Sequence, residues 1–115
     1  MKFLAGLIGL TLLTAACSGM PGGDEPPQGA SQVRVEGFLF HPDRLTIAAG
    51  ATVTWENRDE ILHTATSGTP GAETGLFDGE MGEQEATFAF TFDEPGTYAY
   101  FCTRHNHMRG TIVVE

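Results

Sequence analysis

From Gln32 onward the apolar side chains fall in short alternating runs, and nowhere do they keep a helical spacing. Val33 and Val35, followed by Phe38 and Phe40 around Gly37, predict a strand interrupted by a break or bulge. His41-Pro42-Asp43-Arg44 reads as a turn, Leu45-Thr46-Ile47 as a second strand ended by Gly50, and Thr52-Val53-Thr54-Trp55 as a third. His63-Thr64-Ala65-Thr66 is a short β segment before a Gly- and Pro-containing turn. Phe88, Phe90 and Phe92 alternate with small residues, the pattern of a half-buried strand. Pro95-Gly96 turns the chain into Thr97–Phe101, and Thr111–Val114 closes it. Many short strands separated by turns predict an all-β antiparallel sandwich or barrel, with Trp55 and the Phe residues in its core. No internal repeat is present.

The first thirty-one residues read differently. Lys2, the apolar run Phe3–Leu13 and the small residues Thr14-Ala15-Ala16 form a secretory signal over residues 1–16. The run is too short to span a bilayer comfortably. Leu13-Thr14-Ala15-Ala16-Cys17 resembles the lipobox of bacterial lipoproteins, which implies lipid attachment at Cys17. Thr14 stands where that pattern usually has Leu, and ordinary cleavage after Ala16 is the competing expectation. Residues 17–31 are rich in Gly, Pro and Ser and read as a flexible tether. The folded domain is expected over residues 32–115, exported to the cell envelope or periplasm and anchored to a membrane through Cys17.

Charge narrows the partners. The hydrophobic fraction is 41% against 18% charged, which favours a packed domain over disorder. Formal net charge is −9, and Lys2 is the sole lysine, so loss of the signal makes the balance one unit more negative. Such a field repels nucleic acid and suits a basic protein partner. The same charge would also serve solubility alone.

Candidate chemistry concentrates near the C-terminus. Cys102, His105 and Met108 form a Cys-x2-His-x2-Met loop entering the last strand. Soft sulfur with imidazole selects copper, and two His with one Cys in a plane plus a weak axial Met is a blue-copper donor set. The loop supplies one dependable His, and His63 is available as the second. A Cys17–Cys102 disulfide would consume both the lipid-attachment residue and the thiolate, so it is not expected.

These residues come in a recognisable order. Phe40-His41-Pro42 precedes a strand, then follow Gly50-Ala51-Thr52-Val53-Thr54-Trp55-Glu56-Asn57, His63-Thr64, Phe77-Asp78-Gly79, Pro95-Gly96-Thr97-Tyr98, the Cys102 loop, and Gly110 with a Val-rich end. From Val33 to Glu115 the chain resembles the cupredoxins of the plastocyanin–amicyanin–pseudoazurin group, and its loop spacing is that of amicyanin. The resemblance implies a Greek-key β-sandwich holding one copper ion that cycles between Cu(I) and Cu(II). It implies His63, Cys102, His105 and Met108 as ligands, with the His105 ring edge reaching an apolar surface patch where electrons pass. It implies a monomeric, non-enzymatic carrier working between redox proteins. Thr64 stands where plastocyanins and amicyanin often have Asn, Asn106 where Pro often follows the loop His, and His107 is additional. By the family's spacing His105 is the ligand, and His107 is expected either exposed or in a supporting position beside the ligands; His41 is expected at the surface and Met81 as hydrophobic cover.

Three other readings compete. A copper-delivery protein would use an exchangeable, often Met-rich site. A copper enzyme would need further His ligands and an open coordination position, and the chain has four His in all. A purely structural sandwich would leave the Cys-His-Met loop without a purpose.

Overall fold

The computed structural model describes residues 30–115. The expected signal over residues 1–16, Cys17 and most of the tether lie outside the described residues. The chain forms strands β1 (Ala30–Val35), β2 (Phe40–His41), β3 (Arg44–Ile47), β4 (Ala51–Asn57), β5 (His63–Thr69), β6 (Ala72–Met81), β7 (Thr87–Phe92), β8 (Gly96–Phe101) and β9 (Arg109–Val114). They make two sheets, ordered β2-β1-β4-β7 and β3-β9-β8-β5-β6. The chain passes repeatedly from one sheet to the other, giving the all-β sandwich that the alternating pattern predicts.

The pattern works as expected where one face is buried and one is wet. In β4 buried and half-buried positions alternate along all of Ala51–Asn57. In β7 Phe88 and Phe90 are half-buried and Phe92 is fully covered. Between the sheets Trp55 packs against Phe77 at 5.5 Å, Phe88 at 5.6 Å and Tyr100 at 5.3 Å between ring centroids. This aromatic cluster is the centre of the core, and such rings contribute both area and oriented contacts.

Four details differ from the expectations. Val35 and Phe40 do not lie on one bulged strand; β1 and β2 pair antiparallel as a hairpin through Glu36-Gly37-Phe38-Leu39. Gly37 and Phe38 both have left-handed backbones, with φ of 67° and 62°, as the favoured two-residue hairpin turn requires. Second, β1–β4 and β3–β9 run parallel, while the other pairs are antiparallel. Third, β1 starts at Ala30, so the last two residues of the expected tether belong to the sheet. Fourth, β6 has no strand signature. It carries two Gly and three acidic residues and lies at the sheet edge, exposed except at Phe77, Gly79 and Met81.

Strand β5 sits between β8 and β6 and is buried over six consecutive residues despite being polar. Its hydroxyls are satisfied internally. Ser67 Oγ donates to the Phe77 carbonyl at 3.0 Å and accepts from the Phe77 amide at 3.0 Å and from Thr74 Oγ1 at 2.8 Å. Buried polar groups are tolerated only with such partners. The result is a rigid central strand whose first residue is His63.

Candidate metal centre

Three pieces of chain meet at one end of the sandwich. His63 opens β5, Cys102 directly follows β8, and Met108 directly precedes β9. Because β8 pairs with both β5 and β9, the ends of all three strands are neighbours. The intervening loop reverses tightly. The Cys102 amide donates to the Met108 carbonyl at 3.2 Å, and the Met108 amide donates to the His105 carbonyl at 2.9 Å. His63, Cys102 and Met108 are fully buried, and His105 is half-buried.

The donor atoms converge. Cys102 Sγ lies 3.8 Å from His63 Nδ1 and 3.6 Å from His105 Nδ1. The three ligand atoms are all within 4.8 Å of one another. For a first-row ion, metal–sulfur and metal–nitrogen bonds of about 2.3 and 2.0 Å meeting at about 120° separate the donors by about 3.7 Å. Both sulfur–nitrogen separations match that value. On those two separations the thiol and both imidazoles fit a shared first-row ion. Met108 brings a buried thioether to the same loop and completes the donor chemistry of a soft, copper-selective site.

The sulfur is held by the neighbouring strand. Cys102 carries a free, buried thiol, and the Thr64 amide donates to its Sγ at 3.4 Å. The Thr64 side chain also ties down the loop. Its Oγ1 accepts from the Thr103 amide at 2.9 Å and lies 2.9 Å from Thr66 Oγ1. Thr66 spends its one hydroxyl proton on Asp78 Oδ1 at 2.8 Å, so Thr64 is the donor to Thr66. Thr64 thus braces the loop through its own hydroxyl.

His63 is oriented from its far side. Its Nε2 lies 2.8 Å from Asp59 Oδ2, while Nδ1 faces the sulfur. Burial works to raise the Asp59 pKa, but the amides of Gly37 and Phe38 and the His63 ring outweigh it, and the carboxyl titrates below its ordinary range. The loop carrying Asp59 hangs on buried Asn57. Asn57 Nδ2 donates to the carbonyls of Ile61 at 2.9 Å and Met81 at 3.1 Å, and its Oδ1 accepts from the Asp59 amide at 2.9 Å. Sequence reasoning missed Asp59. The signal present was Asn57-x-Asp59, a side-chain-capped turn, placed four residues before His63.

The outer rim is aromatic. Phe38 meets His63 and His105 edge to face, with centroids 5.1 and 4.8 Å apart. Burial lowers the pKa of His105, the charges of His63, His107 and Arg104 lower it further, and Asp59 opposes them. His107 is exposed, as expected. His41 is half-buried, with Nε2 3.0 Å from the Glu36 carbonyl. Met81 is fully buried and pairs with His63 across the β5–β6 ladder, so it covers the site.

Known proteins resemble this chain in sequence and fold. Residues 28–115 match the family model described as copper binding proteins, plastocyanin/azurin family. Amicyanin-alpha of Methylorubrum extorquens is 34% identical over 118 residues, covering 100% of this chain and 98% of that protein. Amicyanin of Paracoccus versutus is 38% identical over 89 residues, covering 77% of this chain and 67% of that protein. Among solved structures, the Cu(I) form of an amicyanin variant superposes with a TM-score of 0.68 at 35% identity, covering 79% of this chain and 87% of the other. A sandwich that gathers a buried thiol and two imidazoles within 4.8 Å of one another, in a chain matched by that model over its whole described length, belongs to the copper-binding plastocyanin/azurin family, and its cofactor is copper.

Proposed function

We propose that this chain is a mononuclear blue-copper electron carrier with His63, Cys102, His105 and Met108 as ligands. The observation that carries the reading is the placement of Cys102 Sγ 3.8 Å from one imidazole Nδ1 and 3.6 Å from the other. Bound copper supplies a one-electron Cu(I)/Cu(II) couple. The chain's own residues do the rest. Cys102 provides the thiolate, relieved of part of its burial cost by the Thr64 amide. His63 and His105 turn their Nδ1 atoms toward the Cys102 sulfur and would hold the ion through them. Cys102 and Met108, at the two ends of the loop, are fixed by the β8–β9 pairing, so the donor positions change little between oxidation states.

Electron exchange takes place at His105, the only half-buried member of the set. Exposed Phe38, Leu39 and Ile61 supply apolar surface at this end of the fold. Contacts through so small a patch are brief, which suits a shuttle. The negative charge favours basic redox partners, and exposed Glu73, Asp78 and Glu80 on β6 supply part of that field. Full burial of His63, Cys102 and Met108 favours a retained ion over copper delivery, which needs reachable donors. The chain does no bond chemistry on a substrate and works as a monomer. Residues 1–16 direct export, Cys17 carries the lipid anchor, and residues 17–31 tether the domain to the membrane in the cell envelope.

The test is the visible spectrum of the Cu(II)-loaded protein. An intense thiolate-to-copper band, lost in Cys102→Ser, is the expected result. A colourless complex with bound copper would refute the assignment.

A further inference from the structure

One carboxylate reaches two parts of the centre at once. Asp59 Oδ2 is 2.8 Å from His63 Nε2 and accepts from the Phe38 amide at 3.1 Å, while Oδ1 accepts from the Gly37 amide at 2.9 Å. These amides belong to the β1–β2 turn, more than twenty residues away in the chain. The turn forces Phe38 into a left-handed backbone with φ of 62°, a strained state for a bulky L-residue. Its ring consequently stands edge-on to both imidazoles, at 89° to each. The ring is 37% exposed, so it covers the histidines while remaining part of the surface.

We propose that Asp59 is the positioning residue of the centre, fixing the tautomer of His63 and, with the same carboxylate, holding the Phe38 ring over both histidines. The proposal rests on His63 and His105 being ligands. Its chemistry is specific. A carboxylate only accepts, so the proton shared with His63 resides on Nε2. In the neutral imidazole, the form that binds a metal, Nδ1 is then left with its lone pair on the side where Cys102 Sγ lies. The anionic partner also makes His63 a better donor and favours Cu(II) over Cu(I). Asparagine cannot replace it. Any orientation that keeps an oxygen toward His63 and Phe38 turns an NH2 group toward the Gly37 amide, donor against donor. The turn and the ligand therefore loosen together when the carboxylate is lost.

The experiment uses the full chain, metal-free and Cu(I)-loaded, with NMR exchange rates of three protons: the Gly37 amide, the Phe38 amide and the His63 ring N–H. Each is expected to be protected in the wild type, because each is held by the Asp59 carboxylate. In Asp59→Asn all three are expected to exchange at least about tenfold faster, the range of a charge-assisted hydrogen bond. The preference for Cu(I) over Cu(II) rises about tenfold, which for one electron is a potential about 59 mV higher. Phe38→Leu keeps the three bonds and leaves the His63 proton protected. Faster amide exchange with an unmoved His63 proton and potential would make Asp59 a turn cap only and overturn the proposal. Faster exchange of the His63 proton in Phe38→Leu, with the carboxylate still in place, would overturn it too. Should Asp59→Asn fail to fold, the metal-free wild type decides: a protected proton on His63 Nε2 supports the proposal, and a proton on Nδ1 refutes it. Absence of the thiolate–copper band in the wild type would refute the ligand assignment instead, leaving the metal-free readout intact.

Discussion

The backbone amide of Thr64 points at Cys102 Sγ from 3.4 Å, while the hydroxyl of the same residue accepts from the Thr103 amide. One residue on β5 therefore holds both the sulfur and the start of the loop that follows it. The two functions are separable. Thr64→Val keeps the amide–sulfur contact but removes the acceptor for Thr103 and the donor to Thr66. The expected cost is about 1 kcal/mol, which lowers the melting temperature by roughly 4–8 °C in a domain of this size. The visible band should remain. Thermal melts paired with absorption spectra read both effects, and loss of the band in this variant would show that the hydroxyl, not the amide, governs the sulfur.

Copper loading should stabilise the fold by mass action. At free copper about a hundredfold above the dissociation constant, the gain is about 2.7 kcal/mol, which corresponds to a rise of at least about 10 °C. The buried donors link one strand end to a loop that closes only when β8 and β9 pair, so the unfolded chain lacks the site. A chelator should reverse the rise. Cys102→Ser should abolish it; the metal-free melt falls separately, by about 1–3 kcal/mol, because a buried hydroxyl replaces the thiol. Differential scanning with and without Cu(II) gives the comparison.

Much of this centre is legible in the chain itself, and the reasons differ by residue. Cys102, His105 and Met108 announce themselves because their chemistry and spacing lie within one loop. His63 is inferred from order along the chain, and the sandwich has to bring it across. Asp59 and Phe38 are silent for a physical reason. Asn57-x-Asp59 marks only a turn; the contact between that β4–β5 loop and the β1–β2 turn, from which both roles arise, is encoded by no local pattern. The fold shows the same division. β4 and β7 alternate because one face is wet, whereas β6 lies at an edge where burial selects few of its residues. The polarity of β5 hides that it is the most buried strand, because its hydroxyls are satisfied by one another and by β6.

Tyr100 gives a pH prediction. Its hydroxyl is buried and has no hydrogen-bond partner among the described residues; the indole N–H of Trp55, also unpartnered, lies close but out of bonding geometry. Burial raises the phenol pKa above its ordinary 10.0, the charge of Asp43 adds to the shift, and proximity of Trp55 opposes it. For an acid whose folded pKa is raised, the native state resists losing the proton. Stability is then full below pH 10 and declines as the pH climbs toward the folded value. Lys2 is the sole lysine, so few groups confuse this limb. Tyr100→Phe should change stability at neutral pH by no more than about 1 kcal/mol and should flatten the alkaline decline. Urea melts at neutral pH and above pH 10 test it; an unchanged alkaline limb would exclude Tyr100 as its source.

Gly110 tests how closely the β8–β9 pairing controls the loop. It pairs directly with Tyr100, and a Cβ built at Gly110 would overlap the Tyr100 ring. The ring cannot retreat easily, because it packs against Trp55 at 5.3 Å and Phe40 at 4.6 Å. Overpacking of this kind costs about 1–3 kcal/mol. Gly110→Ala should therefore lower the melting temperature by roughly 4–8 °C for each kcal/mol lost. The strain also has a direction. Gly110 lies two residues after Met108, whose carbonyl holds the Cys102 amide. Displacing this part of β9 moves Met108 relative to Cys102 while leaving His63, on β5, in place. The expected signature is a changed reduction potential and an altered band shape with copper still bound. A variant that melts earlier with spectrum and potential unchanged would show that the loop is held by its own hydrogen bonds rather than by the strand that follows it.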